Sequence, residues 1–151
     1  MAHKRETLRK AFVTAVTGLA TTGSNVVNWS LYAKNSMAMP GLSVDFMEES
    51  VSDNIVNEFG VTETREVQVN LVARAVQQTA GSRADVLDTL DDICEEVETV
   101  LYTNRTLSGN AIDIRLDGTE IELDGTGEAP VGTATMAWVV VYEVDRDGPT
   151  I

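Results

Sequence analysis

Four carboxylates spaced one to four residues apart are the side chains of this sequence most able to do chemistry: Asp88, Asp91, Asp92 and Glu95. On a helix, residues three and four apart share one face, where carboxylate oxygens could chelate a hard cation. A small metal-dependent enzyme is therefore one hypothesis for this chain. The simpler interpretation, which we favour, is that these carboxylates form a solvated helix face.

A second acidic stretch has part of the spacing of a calcium-binding EF-hand loop, with these residues in ligand-like positions: Asp113, Asp117, Gly118 and Asp124. However, Arg115 occupies a position where an oxygen ligand belongs, and the flanking segments alternate as strands do instead of forming the required helices. Because Asp-Gly is strongly favoured in two-residue turns, we predict a β-hairpin that turns at Asp117-Gly118.

Other kinds of catalytic or cofactor chemistry find no support in the sequence. The only histidine, His3, lies close to the N-terminus, and with the single cysteine, Cys94, it can make neither a tetrahedral zinc site nor a convincing catalytic pair. Neither a Gly-rich phosphate loop nor a G-x-S-x-G elbow is present. Cys94 is interpreted as a small core residue of a helix. We predict no catalytic residue, no metal and no cofactor.

The chain is strongly acidic, with 24 Asp and Glu against 11 Lys and Arg and a formal net charge of -13. This balance opposes tight binding to nucleic acid, which requires surplus cations to neutralise phosphates. Four of the eleven cations nevertheless lie within the first ten residues: Lys4, Arg5, Arg9 and Lys10. They form either a solvated helix face or a surface that docks onto an acidic partner.

The length of 151 residues predicts one domain over residues 1–151, with flexible ends at 1–4 and 146–151. A single cysteine excludes an internal disulfide. No apolar run approaches the roughly 18 residues of a membrane span, and the charged N-terminus does not resemble a secretion signal. We therefore expect a soluble protein made in the cytoplasm, without a membrane partner.

The first half of the chain predicts one helix and several strands. Apolar residues recur at helical spacing from Arg5 to Leu19, and the composition of Val26 to Ala33 favours a strand. Alternation predicts a short strand from Leu42 to Phe46 and a longer one from Thr64 to Ala75. The segment between them, Met47 to Glu63, holds five acids and no base, and is expected to be a projecting loop or an extended hairpin arm.

The second half predicts a long helix followed by strands. Ser82 and Asp85 give a capping-box-like start to a helix that runs to about Thr103. Its apolar stripe consists of Val86, Leu90, Ile93, Val97, Val100 and Leu101. Next come the two predicted hairpin strands and a final strand at the C-terminal end. This order predicts an α+β fold in which two helices pack on one face of a mostly antiparallel sheet.

The final strand, "TATMAWVVVYEV", is apolar on both faces. One face carries Ala134, Met136, Trp138, Val140, Tyr142 and Val144. The other includes Ala137, Val139 and Val141, and two helices cannot cover it. Because contiguous exposed apolar patches usually mark interfaces, we expect Val139 and Val141 to contact another copy or a partner. Trp29 and Tyr32 are either interface anchors or ordinary core aromatics.

The order of these pieces resembles that of the tail terminator proteins of long-tailed bacteriophages, a family also described as tail-completion or minor tail U-like proteins. The matching segments are "ETLRKAFVTAV", "MPGLSVDF", "EESVSDN", "REVQVNLVAR", "ADVLDTLDDICEEVETVL" and "TATMAWVVVYEV". The most specific segment is the last, with its Ala/Thr-rich entry and its Tyr142-Glu143 ending. The Asp117-Gly118 region and "TGEAPVG" look longer than the family minimum.

The resemblance implies a structural virion protein that forms a homo-hexameric ring at the head-proximal end of the tail. Such a ring caps the tail tube protein, stops tube polymerisation and offers a surface to the neck or head-completion protein, after assembly in the host cytoplasm. Arg5, Arg9 and Lys10 then become further interface candidates. Genomic DNA would pass, without specific binding, through a negative lumen or rim formed by Glu48, Glu49, Asp53 and Glu58. A neck or head-completion ring protein is the alternative of the same class.

Overall fold

The computed structural model describes residues 4–28, 40–57, 60–76, 83–124 and 131–147. In chain order, the helices and strands are α1 (Lys4–Ala15), β1 (Val26–Asn28), β2 (Gly41–Asn57), β3 (Gly60–Val76), α2 (Arg83–Thr103), β4 (Asp113–Asp124) and β5 (Val131–Asp147). No helix in these ranges is long and apolar enough to cross a membrane.

The five described strands form one sheet in the order β1-β2-β3-β5-β4. The short strand β1 pairs with β2 in parallel, whereas β2–β3, β3–β5 and β5–β4 are antiparallel. Strands β2, β3 and β5 have 17 residues each, so they extend well beyond β1. The α+β class and the mostly antiparallel sheet predicted from the sequence are confirmed.

Both helices pack on one face of this sheet and close a single hydrophobic core. Leu8 and Phe12 of α1 are fully buried, and the Phe12 ring meets Phe46 of β2 edge-on, with 6.0 Å between the ring centroids. From α2 the core receives Val86, Leu90, Ile93, Cys94, Val97 and Leu101. From β5 it receives Ala134, Met136, Trp138, Val140 and Tyr142. The apolar stripe predicted for α2 and the core-facing side predicted for the final strand are therefore buried as expected, except that Val100 and Val144 are only partly buried.

In its described residues, the acidic segment Met47 to Glu63 is not a loop but part of two paired strands, which corresponds to the extended hairpin arm, the second of the two predicted alternatives. Met47 to Asn57 continues β2, and the pairing with β3 reaches as far as Asn57 opposite Gly60. Register shifts between Phe46 and Glu49 and between Val51 and Asp53 interrupt the alternation that a sequence pattern relies on. The strand persists because β3 supplies hydrogen-bond partners for its backbone along its whole length.

The predicted hairpin at Asp117-Gly118 is wrong. Residues 113–124 form one continuous strand, β4, with a register shift between Leu116 and Gly118 where the Asp-Gly pair lies. An unbroken neighbour, β5, offers backbone partners on both sides of this pair, so a bulge replaces the turn that Asp-Gly favours locally.

The ends of the helices and strands also differ from expectation. Helix α1 ends at Ala15 instead of Leu19, before the left-handed Gly18 at φ 87°. Strand β1 ends at Asn28, and the rest of the predicted strand to Ala33 lies outside the described residues. Helix α1 starts at Lys4 and β5 reaches Asp147, so residues 4, 146 and 147, which were expected to be flexible, belong to regular elements.

Candidate functional site

A cleft of about 590 Å³ lies between α1 and the part of β2 that continues beyond its pairing with β1. Its lining combines cations, carboxylates and apolar side chains: Arg5, Glu6, Arg9, Phe46, Met47, Glu49 and Val67. Met47 is 58% exposed, so its side chain adds apolar surface to the cleft. The cleft therefore offers charged groups of both signs and apolar surface to a binding partner.

The floor of the cleft is held by Glu49, which joins three elements. The Tyr142 hydroxyl of β5 donates a hydrogen bond to Glu49 Oε1. Arg5 Nη1 of α1 lies 2.6 Å from Glu49 Oε2, and Arg65 Nη1 of β3 lies 3.5 Å from the same oxygen. Arg65 also donates to Glu63 through Nε and Nη2, at 3.1 and 2.8 Å. This network ties the start of α1 to the three long strands.

The network is at odds with the predicted role of Glu49 as a lumen or rim carboxylate, and it shifts the pKa values of Tyr142 and Arg65. With its side chain 16% exposed and ion-paired to two arginines, Glu49 is not an open rim carboxylate. Burial, followed by the hydrogen bond to Glu49, raises the pKa of Tyr142 to about 12. The hydrogen bond to Glu63 is the main cause that raises the pKa of Arg65, so this cation stays charged.

The four N-terminal cations have different surroundings. Lys4 Nζ donates to the backbone oxygen of Glu143 at 2.8 Å, and Lys10 Nζ lies 2.8 Å from Glu6 Oε1. The bond to Lys10 is the main cause that lowers the pKa of Glu6. Within the described residues, Arg9 has neither an ion pair nor a hydrogen bond through its side chain, although it lines the cleft. Arg9 is therefore the cation of α1 that is available to a partner.

The opposite face of the sheet carries no helix among the described residues. Val139 and Val141 of β5 are half-buried there. Arg115 of β4 lies opposite Val139, and Glu66 of β3 lies opposite Val141. These two charged side chains form an ion pair of 3.2 Å across β5. Gln68, on the same face, is exposed. The structure thus places the two predicted interface valines on an open but partly polar surface.

Arg74 of β3 is only 9% exposed on this same side of the sheet. Its Nε and Nη1 atoms are buried without a hydrogen-bond partner in the described part of the protein. Burial lowers the pKa of this guanidinium. No sequence signal could have distinguished Arg74 from an ordinary solvated strand arginine, because its burial depends on contacts distant in sequence.

The other edge of the sheet, β4, is acidic and partly apolar. Asp113 is paired with Arg105, whose Nε and Nη2 lie 2.7 and 2.9 Å from its carboxylate. Ile121 and Leu123 are 43% and 40% exposed, and the register opposite Ala134 and Gly132 places them on the helix-bearing face. The outer edge of β4 pairs with no strand among those described. This edge is therefore accessible to another chain.

Helix α2 presents its carboxylates to solvent: Asp88, Asp91, Asp92 and Glu95 are exposed. Across the described residues, no group of three or more His, Cys, Asp or Glu side chains is arranged to hold a metal ion. Cys94 is buried, and this burial, with the nearby Glu98 and Asp91, raises the pKa of its thiol to about 11. The thiol is therefore protonated and shielded at neutral pH.

Some predicted site residues cannot be placed. Trp29, Tyr32 and Glu58 lie outside the described residues, and for Asp53 only the backbone position in β2 is described. Glu48 is exposed at the start of the irregular part of β2. Of the four carboxylates predicted for a lumen or rim, Glu48 is thus the one whose exposure the structure describes.

Comparison with known proteins returned no match, either to a protein-family model or to a curated protein sequence.

Proposed function

We propose that this chain is the subunit of a ring, hexameric in the family it resembles, that caps the tube of a phage tail. The ring ends tube polymerisation and provides the surface to which the head and neck attach. The chain acts through its surfaces and performs no chemical step.

The main support is that, among the described residues, no strand pairs with the outer sides of the sheet at its two opposite ends. At one end, β2 continues for 13 residues beyond Val44, the last residue paired with β1, from Asp45 to Asn57. At the other end lies β4, whose outer side has no strand neighbour among those described. A cyclic ring requires two different complementary patches on each subunit, and opposite ends of one sheet can provide them.

The open face of the sheet supports a third contact, with the tube. Val139 and Val141 lie near the middle of this face, and no described helix covers them. Neighbours in a ring meet side to side, so the faces of the subunits remain available along the tail axis. We assign the valine surface to the tail tube.

The acidic balance of the chain supports a role around DNA without binding it. A net charge of -13 repeated in each subunit repels the phosphates of a duplex, which carries one charge per roughly 1.7 Å of axis. We place Glu48 at the lumen or rim and leave out Glu49, whose charge is neutralised by Arg5 and Arg65. A Glu48→Gln variant that slows DNA ejection would support this placement, whereas unchanged ejection would contradict it.

The proposal is tested by adding the purified full-length chain to polymerising tail tube protein from the same virus. We expect tubes to stop growing and their mean length to fall as the ratio of this chain to tube protein rises. Tubes that grow unchanged, together with binding to portal-side proteins, would instead identify a neck or head-completion ring. A chain that joins neither structure would refute both.

A further inference from the structure

We propose that the cleft beside α1 of one copy receives a patch at the β4 end of a neighbouring copy, and that this contact closes the ring. We define the β4-end patch as Asp91, Glu98, Tyr102, Ile121 and Leu123. The inference rests on the proposed ring function and adds to it which surfaces meet and which charges pair.

The β4-end patch is one continuous surface because of helix geometry. Asp91, Glu98 and Tyr102 follow one another at intervals of seven and four residues, so they lie on one stripe of α2. The Tyr102 hydroxyl accepts a hydrogen bond of 3.1 Å from the backbone N–H of Leu116 in β4, which directs this stripe toward the β4 edge. Ile121 and Leu123 of β4 are exposed on the same helix-bearing face.

The cleft complements this patch in charge. Arg9 contributes a guanidinium without an ion pair among the described residues, whereas the other charges that line the cleft are compensated, because Arg5 is paired with Glu49 and Glu6 with Lys10. On the patch, Asp91 is exposed and Glu98 is half-buried, and neither carboxylate has an ion-pair partner in the part of the chain that the structure describes. In a chain of net charge -13, self-association is opposed by repulsion unless the few cations lie at the contact.

The two surfaces also match in apolar character. The cleft exposes Met47 beside the ring of Phe46, and the patch exposes Ile121, Leu123 and the 41% exposed Tyr102. The guanidinium of Arg105, paired with Asp113, lies over the Tyr102 ring at 5.5 Å from its centroid, so the apolar contact is made mainly by Ile121 and Leu123. Apolar contact would remove these side chains from water while the charges around them fix the orientation. A second copy of this chain therefore fits the cleft better than a purely acidic partner does.

The topology requires that this contact join different copies. The cleft lies beside β2, the patch lies at β4, and β3 and β5 separate the two within one subunit. Three strand spacings of about 4.8 Å keep the edges roughly 14 Å apart. The contact is therefore heterologous, and repeating it gives a closed ring when the rotation between copies divides 360° and an open filament when it does not. The proposed function requires the closed form.

Charge reversal tests the proposed pairing. In native mass spectrometry of the full chain, Arg9→Glu and Asp91→Arg are each expected to weaken subunit association about tenfold or more. The double variant Arg9→Glu/Asp91→Arg restores an opposite-charge pair at every contact and is expected to recover association. The matched control is Asp92→Arg, which makes the same charge change about 100° around the helix from the patch. Its association should remain close to that of the unaltered chain or exceed it slightly, because net negative charge falls.

The outcomes separate this proposal from the ring function itself. If both single variants form rings as readily as the unaltered chain, or if the double variant stays dissociated while circular dichroism shows it to be folded, the proposed pairing is wrong and the ring is built through other surfaces. If the unaltered chain forms no ring, alone or on tail tubes, both proposals fail.

Discussion

Glu49 shows how a single carboxylate can organise distant parts of this chain. It accepts hydrogen bonds from the Tyr142 hydroxyl and from the guanidinium groups of Arg5 and Arg65. Its partners lie on α1, β3 and β5, so the network holds the start of the helix against the long strands. We interpret the network as a structural clamp, because a carboxylate paired in this way has little free charge to offer DNA or a partner.

The hydroxyl of Tyr142 contributes to the free energy of unfolding at neutral pH, and this contribution is lost at alkaline pH. Its pKa is raised from the ordinary value of 10.0 to about 12 in the folded chain. At pH values below the pKa of the unfolded chain, the hydroxyl is protonated in both the folded and the unfolded state, and its contribution to stability is fully present. As pH rises from about 10 to about 12, the unfolded chain ionises first, and the contribution is lost.

We therefore predict that Tyr142→Phe lowers the free energy of unfolding at pH 7 by about 1.5 to 3 kcal/mol, the range for a hydrogen bond to a charged group. Urea unfolding at a series of pH values should also show that the difference between the two proteins shrinks above pH 10. Unfolding curves that differ by the same amount from pH 7 to pH 12 would exclude the assigned pKa.

Cys94 should be chemically silent in the folded protein. Burial raises the pKa of its thiol to about 11, and Glu98 and Asp91 add to this increase. At pH 8 the reactive thiolate is therefore scarce, and the sulfur is shielded by the core. We predict that a coloured disulfide reagent titrates no thiol in the native chain and one thiol in urea. Rapid labelling of the native chain would contradict the assigned position.

At the scale of elements, Gly132 determines how closely α2 packs on the sheet. A methyl group at this position would overlap Val86 Cγ1 and would lie 2.8 Å from Leu90 Cδ1 and 3.1 Å from Leu123 Cδ2. The helix thus approaches the backbone of β5 more closely than a residue with a side chain would allow.

We predict that Gly132→Ala lowers the free energy of unfolding by about 1 to 3 kcal/mol, the usual cost of overpacking a core. The matched control is Gly118→Ala, since a methyl at Gly118 meets no atom within 4 Å. The control should change the free energy of unfolding by no more than about 0.5 kcal/mol. Thermal or urea unfolding measures both, and equal effects of the two substitutions would contradict the described packing.

The elements that could be predicted are those whose own residues decide their structure. The stripe of α2 and the core-facing residues of β5, such as Trp138 and Tyr142, follow directly from periodicity. The bulge at Asp117-Gly118 could not be predicted, because the local preference for a turn was overruled by β5, a strand that begins several residues later. The strand character of Met47 to Asn57 was obscured in the same way by two register shifts.

In the candidate site, too, the residue types could be predicted from the sequence, but their partners in the fold could not. The cluster of cations in α1 is visible in the sequence, but which of them is available is not. Arg5 and Lys10 find partners at Glu49 and Glu6, and only the folded arrangement leaves Arg9 facing the cleft without one among the described residues. The role of Glu49 was missed because it depends on Arg65 and Tyr142, which are 16 and 93 residues away.

At the scale of the whole molecule, the open face of the sheet should matter for tube binding more than for folding. Val139 is half-buried on this face and lies outside the hydrophobic core. We predict that Val139→Lys changes the free energy of unfolding by about 0.5 kcal/mol or less, yet prevents the chain from shortening tail tubes. Thr99→Lys, at an exposed position of α2, is the control and should leave capping intact. If the Val139→Lys variant shortens tail tubes normally, this face of the sheet does not contact the tube.

Electron microscopy of the full chain, alone and after mixing with tail tubes, distinguishes a ring that caps the tube from a monomer. We predict six-fold rings with a central hole, and one such ring at an end of each tube that has stopped growing. A chain that remains a monomer of 16.3 kDa in solution and is absent from tube ends would contradict the account.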